Sequence, residues 1–118
     1  MNDYVTEVND TNFESEVLEL SQPVLVDFWA EWCQPCKVLA PTVELLTEKY
    51  EDGLKVVKLN VDEGAGSSSR FGIKAIPTLI LFRDGKEVRR VAGVPTNAKE
   101  FISQMLDKEL PENDDAAA

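Results

Sequence analysis

The sequence predicts a single α/β domain, a mixed sheet of four or five strands covered by helices on both faces. Three observations predict it. Two near-continuous apolar runs, Val24–Ala30 and Leu54–Val61, have the length and β-branching of strands buried on both faces, the habit of parallel sheets. A helical pattern separates them, so a right-handed crossover has to join a parallel pair. Near the C-terminal end, Asp84-Gly85 between two apolar strand patterns marks a tight hairpin, which adds antiparallel strands.

The elements follow in order. Val5 to Val8 alternates weakly and fits a short edge strand. Thr11-Asn12-Phe13-Glu14 has the form of a capping box, and Phe13, Val17, Leu18 and Leu20 recur near helical spacing until Ser21-Gln22-Pro23. The first buried strand carries one carboxylate, Asp27. From Cys33 to Tyr50 the pattern is helical, with Val38, Leu39, Val43, Leu45 and Leu46. Pro41 removes a backbone donor inside that stretch and should bend it. Glu51-Asp52-Gly53 closes the helix. The second buried strand contains Val56-Val57-Lys58-Leu59-Asn60-Val61, with Lys58 embedded in it, and a short helix spans Ser67 to Phe71. Thr78–Phe82 and Val88–Val91 are the hairpin strands. Thr96 is placed to cap a last helix carrying Phe101, Ile102, Met105 and Leu106. The predicted domain is 1–110; residues 111–118, Pro-Glu-Asn-Asp-Asp-Ala-Ala-Ala, form an acidic tail with no apolar face and are expected to be disordered.

Composition narrows the chemistry. The chain has 118 residues, the size of one domain. Twelve Lys+Arg against 22 Asp+Glu leave a net charge of -10, which disfavours nucleic acid and anionic membranes as partners. No apolar run approaches the ~20 residues that span a bilayer. Met1-Asn2-Asp3-Tyr4 lacks the basic and apolar regions that open a secretory signal, so a cytoplasmic location is expected. There is no histidine, which removes the commonest general base, the His-paired nucleophiles and most catalytic zinc sites. The two cysteines are Cys33 and Cys36.

These cysteines carry the chemistry. Trp32-Cys33-Gln34-Pro35-Cys36-Lys37 lies where the first buried strand meets the long helix, at the strand ends where α/β sheets place their sites. Residues i and i+3 of a helix have Cα atoms about 5 Å apart. A disulfide needs about 4.4–6.8 Å, so the pair can open and close with little backbone movement. Free N–H groups and partial positive charge at the helix start favour a thiolate at the first cysteine. Pro35 falls in the first turn, where its missing N–H matters least. A CxxC pair can also be half a zinc site, but two further soft ligands are absent. As an inert staple it would close so short a loop that it stabilises little. A reversible redox pair is the reading the residues favour, with no metal and no prosthetic group.

Several separated motifs agree in order with one family: Val26-Asp27-Phe28-Trp29-Ala30, Trp32-Cys33-x-Pro35-Cys36-Lys37, Pro41, Lys58-Leu59-Asn60-Val61-Asp62, Phe71-Gly72-Ile73, Ile76-Pro77-Thr78, Phe82-x-x-Gly85 and Gly93. From about Phe13 to Leu106 the chain resembles the thioredoxin family. The resemblance implies a thioredoxin fold and a protein dithiol–disulfide oxidoreductase without cofactor. Cys33 then corresponds to the exposed nucleophile and Cys36 to the buried resolving cysteine. Pro77 corresponds to the cis-proline facing the disulfide, and Asp27 and Lys58 to the buried pair behind Cys36. Trp32, Gln34, Pro35, Ile76 and the Ala92-Gly93-Val94 turn correspond to the surface on which partners dock. The implied partners are disulfide-containing proteins and a thioredoxin reductase, NADPH-flavin or ferredoxin-linked, acting on a monomer. Three residues depart from the family pattern: Gln34 and Ala75 stand where glycine is common, and Phe71 where tyrosine is. Gln34 lies between the sulfurs, on the docking face. A thioredoxin-fold binding or chaperone module with incidental turnover, and an oxidant that donates disulfides, are the open alternatives.

Asp27 carries one further expectation. No histidine is present to handle the Cys36 proton, and Asp27 is the only carboxylate embedded in the first buried strand. Burial raises a carboxyl pKa and a nearby ammonium lowers it. Flanked by Val26 and Phe28, Asp27 is expected to show the effect of burial over that of Lys58.

Overall fold

The computed structural model describes residues 5–110. Five strands, β1 (Thr6–Val8), β2 (Val24–Trp29), β3 (Lys55–Asn60), β4 (Thr78–Arg83) and β5 (Lys86–Ala92), form one sheet in the order β1-β3-β2-β4-β5. A π-helical segment (Glu14–Leu18) precedes β2, and α1 (Gln34–Lys49), α2 (Ala65–Arg70) and α3 (Ala98–Glu109) complete the set. The predicted mixed sheet with helices is what the chain forms. Residues 1–4 and the acidic tail 111–118 lie outside the described residues.

β2 is the central strand. It pairs in parallel with β3 across the α1 crossover and antiparallel with β4, and Val24 to Phe28 are all buried. Side chains alternate between faces along it. Leu25 faces a core shared with Leu39, Val43 and Leu46 of α1 and with Ile102 and Leu106 of α3. Val24, Val26 and Phe28 face a second core with Phe13, Val17, Val57, Ile80 and Phe82. In that core Phe71 stacks against Phe13 and Phe82 with ring centroids 5.5 and 5.2 Å apart. Asp27, two residues beyond Leu25, therefore lies on the α1 side of the sheet. Val5 to Val8 supplies the short edge strand expected, paired in parallel with β3.

Two caps differ from the sequence reading. Thr11 does not cap the first helical segment: its hydroxyl donates to Asn9 Oδ1 at 2.6 Å. Asn9 and Asn12 instead close a reciprocal turn, each side-chain oxygen accepting the other's N–H. Thr96 does not cap α3 either. Asn97 occupies the cap position with φ 53°, and no side chain caps the helix. At the first of these places local polar side chains serve the entering turn rather than the helix.

The Asp84-Gly85 turn is as read, with φ 52° and 77°. Arg83 and Arg89, on the two strands of the hairpin, tie it down. Arg83 donates to the Glu109 carbonyl at 2.9 Å, and Arg83 and Arg89 flank its carboxylate at 3.7 and 3.3 Å, which fastens the end of α3 to the hairpin.

Gly85 packs directly on the π-helical segment: a Cβ there would meet the Leu18 carbonyl oxygen at 2.5 Å, whereas one at Gly72, with φ 65°, meets nothing within 4 Å. Gly72→Ala should lose about 1 kcal/mol of stability, the strain of a left-handed residue alone. Gly85→Ala should lose about 3 kcal/mol, strain and clash together. Urea unfolding of both variants checks this; equal losses would mean the turn moves freely off Leu18.

Candidate active site

β2 ends at Trp29, and the chain turns through Ala30-Glu31-Trp32 into α1. The turn is held by Cys33 N–H donating to the Ala30 carbonyl at 3.1 Å. Cys33 is the N-cap of α1, with extended backbone (φ -92°, ψ 104°), and its Sγ accepts the Cys36 N–H at 3.2 Å. This is the position in which an oxygen normally satisfies a free helix donor. A sulfur placed there meets a backbone donor and the positive end of the helix dipole, both of which favour its thiolate. Cys33 and Cys36 form a disulfide with Cα atoms 5.3 Å apart, the separation that helix geometry predicts.

One expectation fails on exposure. Cys33 and Cys36 are equally buried, each 4% exposed, in a small cluster with Ala30, Trp29, Val61 and Ile76. Once bonded to Cys36, Cys33 is covered by its neighbours. What separates the two sulfurs is the helix start, where Cys33 accepts the cap hydrogen bond.

The remaining residues converge on the pair from other strands. The Ile76–Pro77 bond is cis, Pro77 is buried, and its carbonyl accepts the Gly93 N–H at 2.7 Å. That bond seats the Ala92-Gly93-Val94 turn beside Pro77, with Ala92 and Val94 exposed. Trp32 is 68% exposed, and its Nε1 donates to Asp62 Oδ2 at 2.8 Å. Trp32, Val61, Ile73, Ala75 and Ile76 line an open groove of about 400 Å³ next to Cys33. Gln34 and Pro35 are exposed at the start of α1. The sequence reading assigned no part to Val61, Asp62 or Ile73, although two of its quoted motifs contain them.

Asp27 and Lys58 are register partners on neighbouring strands, so their side chains leave the sheet on the same face. Asp27 is 5% exposed, and its Oδ1 has no hydrogen-bond partner among the described residues. It shares a cavity of about 80 Å³ with Cys36, Trp29, Lys37, Ala40 and Lys58. Burial pushes the Asp27 carboxyl up to about 7, and the Lys58 charge pulls back only in part. Desolvation prevails, as expected from Val26 and Phe28.

Comparison with known proteins agrees with this geometry. The family model named Thioredoxin matches residues 4–108. Thioredoxin 1 of Synechococcus elongatus is 50% identical over 104 residues, covering 87% of this chain and 94% of its own length. The thioredoxin of Acidithiobacillus ferridurans is 44% identical, covering 93% of this chain and 100% of its own length. The M-type chloroplastic thioredoxin of Chlamydomonas reinhardtii is 47% identical, covering 87% and 72%. The chain belongs to the thioredoxin family. With its disulfide-forming Cys33–Cys36 pair it is a dithiol–disulfide oxidoreductase, the activity of thioredoxins. Thioredoxins as a family act on disulfide substrates and are re-reduced by thioredoxin reductases. No helix among the described residues is long and apolar enough to cross a membrane.

The Asp27 carboxyl gives this thioredoxin a defined pH signature. Its folded pKa lies above the unfolded value of about 4, so the ionised form is disfavoured in the fold. The penalty is absent below pH 4, grows as pH rises, and levels off above about 7. Asp27→Asn should therefore stabilise the oxidised protein at pH 8 by about 2–3 kcal/mol more than at pH 5. Denaturant melts at both pH values measure it; a variant destabilised at pH 8 would mean the Lys58 charge outweighs burial.

Proposed function

We propose that Cys33 is the attacking thiolate and Cys36 the resolving one, in a protein that reduces disulfides of other proteins. The observation that carries this is the cap bond from the Cys36 N–H to Cys33 Sγ. Cys33 thiolate attacks one sulfur of a substrate disulfide and releases the other as a thiolate. Cys36, deprotonated, then attacks Cys33 Sγ and displaces the second substrate thiolate. Two electrons pass to the substrate, and the Cys33–Cys36 disulfide remains. Asp27 accepts the Cys36 proton: it is buried with Cys36 around one cavity roomy enough for water, and it titrates near neutral pH in a chain without histidine. Lys58 tunes that carboxyl.

Partners dock on Trp32, Gln34, Pro35, Ile76 and the Ala92-Gly93-Val94 turn, with Pro77 against the disulfide. Trp32, Gln34, Pro35, Ala92 and Val94 are exposed, and Trp32 and Ile76 line the groove beside Cys33. Oxidised proteins and a thioredoxin reductase use the same face in turn. The working unit is a monomeric domain of residues 1–110 with an acidic tail, acting in the cytoplasm, where reducing conditions keep the pair in its dithiol form.

Cys33→Ser should abolish insulin disulfide reduction, while Cys36→Ser should accumulate covalent mixed disulfides with its targets. Normal turnover by Cys36→Ser, or equal trapping by Cys33→Ser, would reverse the assignment. Retained function in Cys33→Ser would instead favour a binding module.

Gln34 places an exposed amide between the sulfurs. Gln34→Gly should change rates with the reductase and with protein disulfides several-fold more than rates with glutathione, because the side chain meets a docked protein before it meets a sulfur. Stopped-flow rates with both classes test this, and equal changes would exclude a docking role.

A further inference from the structure

The Lys58 ammonium lies over the face of the Trp29 indole, 4.5 Å from the ring centroid. This is well inside the ~6 Å reach of a cation–π contact, and Trp has the strongest ring for it. Trp29 is two residues beyond Asp27 on β2, so the indole and the carboxyl project from the same face of the strand. Lys58, in register with Asp27, reaches between them, and all three line the cavity beneath Cys36. The indole Nε1–H is buried without a hydrogen-bond partner among the described residues. No polar bond of its own therefore orients the ring; packing and the cation at its face do.

We propose that Trp29 is a positioning residue: its ring holds the Lys58 ammonium off the Asp27 carboxylate and so sets how readily that carboxyl ionises. Attraction between charges rises as their separation falls. An ammonium drawn toward the indole stabilises the carboxylate less than one drawn fully onto it, and burial is left as the larger influence on Asp27. Among the described residues, ionisable groups face this region from α1 and from β1. Lys37 and Cys36 share the cavity with Asp27, and Glu44 lines a smaller cavity of about 30 Å³ with Asp27 and Lys58. Glu7 of β1 is the register partner of Lys58 and leaves the sheet on the same face. The residue facing Asp27 from β4 is apolar Leu79. Glu44 and Glu7 are the competing destinations for Lys58 once the ring is gone, and that competition makes the proposal refutable. Its consequence for turnover rests on Asp27 handling the Cys36 proton, but the titration itself does not.

The experiment is a carbon NMR titration of the Asp27 carboxyl in the oxidised protein, where neither cysteine titrates. Trp29→Leu should lower the Asp27 midpoint by about half a pH unit, which is a cation–π contact of about 0.5–1 kcal/mol converted at 1.36 kcal/mol per unit. Trp29→Phe, which keeps a weaker ring, should lower it less. In a Lys58→Met background neither substitution should lower it. An unchanged or raised midpoint, as when Lys58 moves to Glu44 or Glu7, would overturn the proposal. So would an equal fall with and without Lys58, which would mean that removing the indole merely admits water. A readout needing no substitution at Trp29 is the Lys58 ε-methylene proton shift. It should lie upfield in the unaltered protein from the ring current of the indole; an unshifted position would overturn the proposal whether or not the Trp29 variants fold.

Discussion

Strand β2 has a neighbour on each edge and packed side chains on each face, and the placement of the groups at the site follows from that. Because β2 is central, its carboxyl end delivers α1 to the edge of the sheet with Cys33 at the cap. Because it is buried on both faces, the one carboxylate it carries is desolvated. Because its other neighbour is β4, the cis Ile76–Pro77 bond that precedes β4 arrives beside the same end of the sheet. An edge strand could supply the helix start, but not the buried carboxyl and the proline together.

The electrostatics divide between two features of different reach. At Cys33 the stabilisation of a thiolate is local: one backbone N–H at 3.2 Å and the dipole of a 16-residue helix. At Asp27 it is collective, the balance of desolvation against one lysine whose charge is shared with an indole. The first favours an anion at Cys33. The second leaves a carboxyl that titrates near neutral pH.

The exposed face around Trp32 is built separately from the sulfur pair and Asp27. Trp32 is held by Asp62, from the loop after β3, and the groove beside it is walled by the segment that leads into Pro77. Arg90 steadies that segment from β5, donating to the Phe71 carbonyl at 2.7 Å while Glu87 grips its guanidinium. Substitutions such as Gln34, Ala75 and Phe71 fall on this face or its support.

Strands β2 and β3, the long helix and the hairpin were legible in the sequence because each carries its own periodicity or turn chemistry. The redox pair was legible because two cysteines at helical spacing satisfy disulfide geometry without help from the rest of the chain. Even the contest at Asp27 could be read from its neighbours Val26 and Phe28. Tertiary structure decided what depends on residues far apart in the chain. Thr11 and Thr96 have capping chemistry, but Thr11 bonds within the Asn9–Asn12 turn and Asn97, not Thr96, occupies the cap position of α3. The short α2 donates its Gly66 and Ser67 N–H groups to the carboxylate of Asp10, 57 residues before Ser67. Cys33 is no more exposed than Cys36, because Ile76 and Val61 close over the disulfide from other elements. Lys58 meets the face of Trp29 only because β2 and β3 pair in one register. Local sequence specifies which conformations and reactions are available, while long-range packing selects which polar groups meet, since a buried group takes its partner from whatever the fold brings within reach.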